Sequence, residues 1–331
     1  MIAFWASALA LSLLLYVVLD GFDLGVGMLF GIAPDEAARR HMMQAIAPVW
    51  DGNETWLVVA GTILFGAFPA AYALLLSAFY LPLLAMLAAL ILRGVAFEFR
   101  YKARRLRRLW DAGFVGGSAF AAFAQGAAVG ALVEELPIAN GQYAGGPFGW
   151  LSPFAVLCGF GLCLGYALLG AAWLCNKTEA DVRDLGYRLL PRLLVGVLLF
   201  LAAAFAYALA MNLRVLHRWF ERPEMLILPL VGAAACAGLV HAARRRIDAL
   251  PFPLVATIFA AAFATLAASF LPYMVPFTIT IEEAAAPPSS LSFLFWGAGV
   301  VVLPITLIYT VVVYRVFKGK VDLSEHAGHY E

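Results

Sequence analysis

Leu19-Asp20-Gly21-Phe22-Asp23-Leu24-Gly25-Val26-Gly27 closes an apolar run that begins near Ile2, and Trp50-Asp51-Gly52-Asn53-Glu54-Thr55-Trp56 opens the next such run. About 20 apolar residues are enough to cross the hydrocarbon of a bilayer as a helix. A carboxylate in or beside hydrocarbon is costly, so an intramembrane acid is by default a functional-site hypothesis. These two stretches therefore set the fold class, a helical membrane bundle, and also the place to look for chemistry.

The rest of the chain agrees. It has 331 residues, of which 64% are hydrophobic and 13% charged, with a mean hydropathy of +0.89. A soluble domain would carry about 25% charged residues. The composition predicts an all-α, polytopic membrane protein forming a single integral membrane domain over residues 1–331. A net charge of +1 gives no electrostatic basis for a nucleic-acid partner. Met1-Ile2-Ala3-Phe4-Trp5 lacks a basic n-region, so the first run reads as a retained span and not a cleaved leader. Cys158, Cys163, Cys175 and Cys236 form no CxxC pair and read as small packing residues.

Hydropathy predicts about nine spans, near 2–31, 53–75, 77–98, 112–134, 153–174, 190–212, 225–243, 252–273 and 292–316. Lysine and arginine set the orientation. With the N-terminus outside, the inside segments carry eighteen basic residues, among them Arg39, Arg40, the run from Arg100 to Arg108, Arg183 and Arg244–Arg246. The outside loops carry only Arg214, Arg218 and Arg222, and Arg93 lies within a span. This asymmetry predicts a cytoplasmic C-terminus. Loops 135–152 and 274–291, rich in glycine and proline, read as irregular connections. Gly21/Gly25, Gly27/Gly31, Gly126/Gly130 and Gly161/Gly165 are each four apart, a spacing that lets helix backbones approach closely.

Asp20 and Asp23 are three apart and share a helix face, as do Asp51 and Glu54. Both pairs lie towards the cytoplasmic side of adjacent spans, so the four acids are expected to meet at one depth. Such a group suits proton relay or cation coordination. The plainer alternative is that Asp20 and Asp51 cap helix ends. Arg93 is placed to pair with one of these acids or to snorkel to the interface. Asp111 opens the fourth span, where its plain role is an N-cap.

No zinc spacing, phosphate loop or nucleophile elbow is present, and no catalytic or metal-ligating set is predicted. His41, His217, His241, His326 and His329 fall in loops, tails or span ends, whereas a buried haem usually needs an axial His, Met, Cys or Tyr. Met28, Met86, Met211 and Met274 read as packing. From its residues alone the chain is a proton-handling or scaffolding membrane subunit.

Four stretches resemble subunit II of cytochrome bd-type quinol oxidases: Leu19–Leu29, Ile46–Leu57, Leu92–Arg100 and Trp110–Gly113. Their order and the nine-span layout also fit, and the compact outside loops resemble the cyanide-insensitive branch. The resemblance implies a bacterial cytoplasmic (inner) membrane complex that oxidises quinol, reduces dioxygen to water and takes up cytoplasmic protons. It implies a partner subunit I that holds two b haems, the d haem and the quinol-oxidising loop, so this chain would ligate no cofactor. Asp20, Asp23 and Asp51 match the family's acidic positions and are expected on a proton path. Glu54 joins them, at a position where the family also accepts Gln. Arg93 and Asp111 match its membrane-edge charges and are expected to give structural electrostatics near the subunit interface or the haem region. Small single-span accessory subunits, lipid and quinone are further expected partners. The rival reading is a proton- or cation-coupled secondary transporter, against which the chain shows no internal repeat.

Overall fold

The computed structural model describes residues 1–103 and 105–321 of the chain. Its main helices are α1 (Ile2–Leu29), α2 (Glu36–Ile46), α3 (Trp50–Ala67), α4 (Pro69–Lys102), α5 (Arg107–Val133), α6 (Pro153–Lys177) and α7 (Ala180–Ala210). They continue with α8 (Arg214–Glu221), α9 (Ile227–Arg245), α10 (Pro251–Phe270), α11 (Ile281–Ala284), α12 (Pro288–Leu294) and α13 (Val302–Val316). Among the described residues, eight helices are long and apolar enough to cross a membrane. α3 is the expected span outside that set. It has 18 residues, and its first two turns carry Asp51, Asn53 and Glu54, which dilute its apolar character.

Several boundaries differ from those expected. The chain breaks at Phe68, just before Pro69, and not near residue 76. Proline suits the first turn of a helix because its missing N–H would be unpaired there anyway. α4 then runs on to Lys102 with non-helical backbone at Phe79, ahead of the internal Pro82. α7 starts at Ala180, some ten residues before its apolar stretch, because a helix can continue into water on polar residues such as Arg183 and Arg188. The last span is interrupted by a π-helical turn, Phe295–Gly299. The two loops expected to be irregular carry short hairpins, Ile138–Ala139 with Gln142–Tyr143 and Tyr273–Val275 with Ile279–Thr280. The first turns through Asn140 and Gly141, both at positive φ as a tight hairpin turn requires.

α1 lies at the centre, packed against α3, α5 and α6, while α4, α5, α6 and α7 pack in sequence around it. Two apolar clusters fill the bundle. One surrounds the second half of α1 with Phe22, Phe30, Met42 and Trp173, and the other surrounds its first half with Trp5, Phe68 and Leu291. The glycine spacing acts inside the bundle. A Cβ on Gly25 would lie 1.8 Å from the Tyr166 carbonyl oxygen and 2.9 Å from the Gly170 nitrogen, so α1 and α6 touch backbone to backbone.

The segments joining α1–α3, α4–α5, α6–α7 and α9–α10 gather at one end with residues 317–321. Arg246 pairs with Asp184 at 3.0 Å, Lys320 with Asp248 at 2.6 Å, and the Val321 N–H donates to the Lys177 carbonyl at 2.9 Å. The other end holds the start of α1, the α3–α4 corner and the two hairpins.

Candidate functional site

α1 has reached its nineteenth residue at Asp20, roughly 27 Å along at 1.5 Å per residue. Asp20 and Asp23 are both fully buried there, at 0% exposure. Arg93, 1% exposed, reaches across from α4 and donates from Nη1 to Asp20 Oδ1 at 3.2 Å. Its guanidinium also lies 5.9 Å from the centre of the Trp50 ring. Of the two roles open to Arg93, the structure selects pairing. α5 comes close enough for this because Gly117 faces α4. A Cβ there would lie 2.6 Å from the Ala89 carbonyl and 3.1 Å from Arg93 Cβ.

Asp23 has a different partner. Its Oδ2 accepts from Asn53 Nδ2 at 2.7 Å. The same amide nitrogen donates to the Leu19 carbonyl at 3.2 Å, and Asn53 Oδ1 accepts from the Tyr314 hydroxyl at 2.9 Å. Both faces of the amide are thereby fixed, and α13 is tied to α1 through α3. Asp20 Oδ2 and Asp23 Oδ1 carry no hydrogen bond from described residues. Asp20 is thus held by the Arg93 guanidinium and Asp23 by the Asn53 amide. A second chain leads away from Asp20: Tyr16 lies beside it, Gln125 Nε2 donates to the Tyr16 hydroxyl at 2.8 Å, and the Tyr166 hydroxyl donates to Gln125 Oε1 at 2.8 Å.

The expected acids are not all equivalent. Glu54 is half-buried and within electrostatic reach of Asp20, Arg93 and Asp51. Asp51 is exposed in the first turn of α3, on a stripe with Thr55, Val58, Thr62 and Phe65. The structure therefore gathers Asp20, Asp23 and Glu54 and leaves Asp51 outside the buried group. Asp20 caps no helix, since it lies well inside α1.

Asp111 is not an N-cap. α5 begins at Arg107 with Leu106 in the cap position, and Asp111 lies one turn in. It accepts from Arg100 Nε and pairs with Arg39 at 3.3 Å. Arg100, with a fully buried side chain, also holds Glu36 at 2.8 Å and lies 4.9 Å from the centre of the Phe30 ring. Arg107 reaches Glu36 at 3.4 Å. This clamp joins α2, α4 and α5 at the end of the bundle nearest the acids. In the sequence Arg100 is one of the basic run from Arg100 to Arg108. The signal that sets it apart is its place in the last turn of α4, just before the short connection that leads to Asp111.

Burial pushes the Glu36 carboxyl up, but the Arg100 hydrogen bond and the charges of Arg100, Arg107 and Arg40 hold it below its ordinary 4.5. Asp248 is likewise pushed up by burial and held below 3.8 by Lys320 and Tyr187. A carboxyl lowered on folding contributes stability that is present above its ordinary value and lost as pH falls through the lower folded value. Acid is therefore expected to loosen this end of the protein below about pH 4. Thermal scans from neutral to acid pH should fall more steeply for the wild type than for Glu36→Gln, and equal slopes would contradict the clamp.

Among the described residues no group of three or more His, Cys, Asp or Glu is placed to hold a metal ion. His41 is on the short helix α2 and His241 is exposed near the end of α9, so neither lies at mid-depth. Met86 is packed in the first apolar cluster, with Met28 against it. His326, His329 and the side chain of His217 lie outside the described residues.

The family model described as "Cytochrome bd terminal oxidase subunit II" matches residues 1–317. A chain from Haemophilus influenzae (strain Rd) named "Probable cytochrome oxidase subunit 2" is 33% identical, the match covering 97% of this chain and 95% of that one. "Cytochrome bd-I ubiquinol oxidase subunit 2" of Escherichia coli (strain K12) is 28% identical over 98% of this chain and 97% of its own length. A chain in the structure of the bd oxidase from Geobacillus thermodenitrificans superposes with a TM-score of 0.75, covering 96% of this chain and 99% of that one. At 17% identity that likeness speaks for the fold alone.

Proposed function

Because this chain belongs to the cytochrome bd terminal oxidase subunit II family, and so is part of a quinol:oxygen oxidoreductase in a bacterial inner membrane, we propose that its own share of the reaction is to carry protons towards the oxygen-reducing partner. The proton path runs from Asp51 through Glu54 to Asp23, with Asp20 and Arg93 as the fixed ion pair beside it. The supporting observation is graded burial, with Asp51 exposed, Glu54 half-buried and Asp23 fully buried. Asp23 is the group that takes up and releases the proton. Its partner is the neutral Asn53 amide, whereas Asp20 is held by a guanidinium. Three carboxylates around a single guanidinium leave a carboxyl with no cation to balance it, and burying such a charge unpaired is costly. Arg100, Asp111 and Glu36 tie α2, α4 and α5 together at the end of the bundle nearest the path. The membership does not favour a secondary transporter.

The complex needs haems and quinol. We assign the b and d haems to subunit I. The same reading has one integral membrane domain over 1–331 and nine spans, α3 included, with the N-terminus outside and the C-terminus cytoplasmic. It also leaves room for small single-span accessory subunits and a bound quinone.

Asp23→Asn in the purified complex tests the path. Asparagine keeps the shape and removes the proton-carrying group. Oxygen consumption with quinol is expected to fall at least about tenfold, or about 1.4 kcal/mol on the barrier, with unchanged haem spectra. Asp51→Asn, at an exposed site, should slow turnover less. Wild-type turnover with wild-type spectra in Asp23→Asn would contradict the assignment.

A further inference from the structure

At the end of the bundle where α1 begins, a cavity of about 970 Å³ opens beside its first two turns. Its wall is of two kinds. Ile2, Ala6, Leu271 and Ile281 are apolar, while Arg222 and Glu282 bring opposite charges. Arg214, Arg218 and Arg222 are the three basic residues of the loops at this end, and they lie four apart along α8 and its C-terminal cap. Two of them are engaged by the protein. Arg214 pairs with Glu135 at 2.8 Å and lies 5.4 Å from the centre of the Phe277 ring, and Arg218 lies 5.8 Å from that of Tyr273. Arg222 and Glu282 are exposed, and among the described residues neither takes part in an ion pair.

A cation and an anion thus share the wall of a cavity whose apolar part lies along the start of a span. The matching occupant is an amphiphile with an anionic group for Arg222, a cationic hydrogen-bond donor for Glu282 and acyl chains for the apolar wall. We propose that this cavity holds a zwitterionic phospholipid with a primary ammonium headgroup, of the phosphatidylethanolamine type. Its phosphate sits on the Arg222 guanidinium, whose planar fork suits phosphate oxygens. Its ammonium donates to the Glu282 carboxylate. A phosphatidylglycerol headgroup satisfies Arg222 alone, and a choline headgroup has no N–H to donate. A quinone carries no charge for either residue.

The intact complex, partner subunit included, is placed in nanodiscs of equal phosphatidylethanolamine, phosphatidylglycerol and phosphatidylcholine, re-extracted in mild detergent and read by native mass spectrometry. The wild type is expected to retain a phosphatidylethanolamine adduct. Arg222→Gln should lower its occupancy about fivefold, the worth of a good exposed ion pair. Glu282→Gln should still retain a phospholipid but lose the preference for phosphatidylethanolamine over phosphatidylglycerol. Haem spectra and turnover, unchanged in both variants, report intact assembly. Equal adducts in the wild type and the double variant would overturn the proposal, as would phosphatidylglycerol or phosphatidylcholine matching phosphatidylethanolamine in the wild type, or a quinone as the retained molecule.

Discussion

Arg93→Leu is expected to destabilise the protein by about 3–5 kcal/mol, the usual cost of removing one partner from a buried ion pair. The pair is as buried as any among the described residues, with side-chain exposures of 1% for Arg93 and 0% for Asp20. Leucine fills part of the arginine's volume but leaves Asp20 with no cation in a site walled by helices. The loss should appear as a lower yield of haem-loaded complex and a lower unfolding midpoint. Two side chains that act as a unit predict a specific rescue. Arg93→Leu combined with Asp20→Asn should recover most of the stability, because a neutral amide no longer needs the guanidinium. If the double variant is as unstable as the sum of the two single ones, the pair is not what holds this region. Asp20→Asn alone should also destabilise, by leaving Arg93 to the more distant Asp23 and Glu54.

The second large effect is expected at Gly25. A Cβ there falls 1.8 Å from the Tyr166 carbonyl oxygen, and one on Gly170 would fall 2.5 Å from the Gly25 carbonyl carbon and from the Val26 nitrogen. The obstacles are backbone on both sides, so no side-chain rotation relieves them. α1 and α6 would have to separate, and with them the Phe22–Trp173 stack at 4.1 Å and the Trp173 hydrogen bond to the Ala45 carbonyl at 3.0 Å. Overpacking that side chains can absorb costs about 1–3 kcal/mol. Gly25→Val should exceed that range, at about 4 kcal/mol or more, a size tied to gross disruption of packing. The expected readout is no assembled complex in membranes. Gly61→Ala and Gly116→Ala, where an added Cβ meets nothing within 4 Å, are the controls and should assemble normally. Normal assembly of Gly25→Val would show that the two helices do not touch as described.

The sequence made the bundle legible because apolar runs and charge asymmetry are one-dimensional signals. Asp20, Asp23 and Arg93 could be singled out for the same reason, since each is a charge inside hydrocarbon. What could not be read was which residues complete the group. Asn53 stood in the Trp50–Trp56 stretch with no role of its own, yet it holds Asp23 directly. Tyr314 is more than 250 residues away in the chain and meets Asn53 only through the packing of α13 on α3. Gln125 and Tyr166 look like isolated polar residues until the α1–α5–α6 contact brings them beside Tyr16. Asp51 and Asp23 looked alike as intramembrane acids. The rotation of α3, which turns Asn53 and Trp56 inward and Asp51 outward, separates them. Asp111 looked like an N-cap because its helix starts a turn earlier than its apolar stretch does.

On the proposed path, Asp23 exchanges a proton during turnover. A redox-induced infrared difference spectrum of the purified complex observes carboxyl protonation directly. The expected result is a carboxyl C=O difference band in the wild type that shifts in deuterated water, is lost in Asp23→Asn and survives in Asp51→Asn. A band unchanged in Asp23→Asn would place the exchanging proton elsewhere and rule out Asp23 as its carrier.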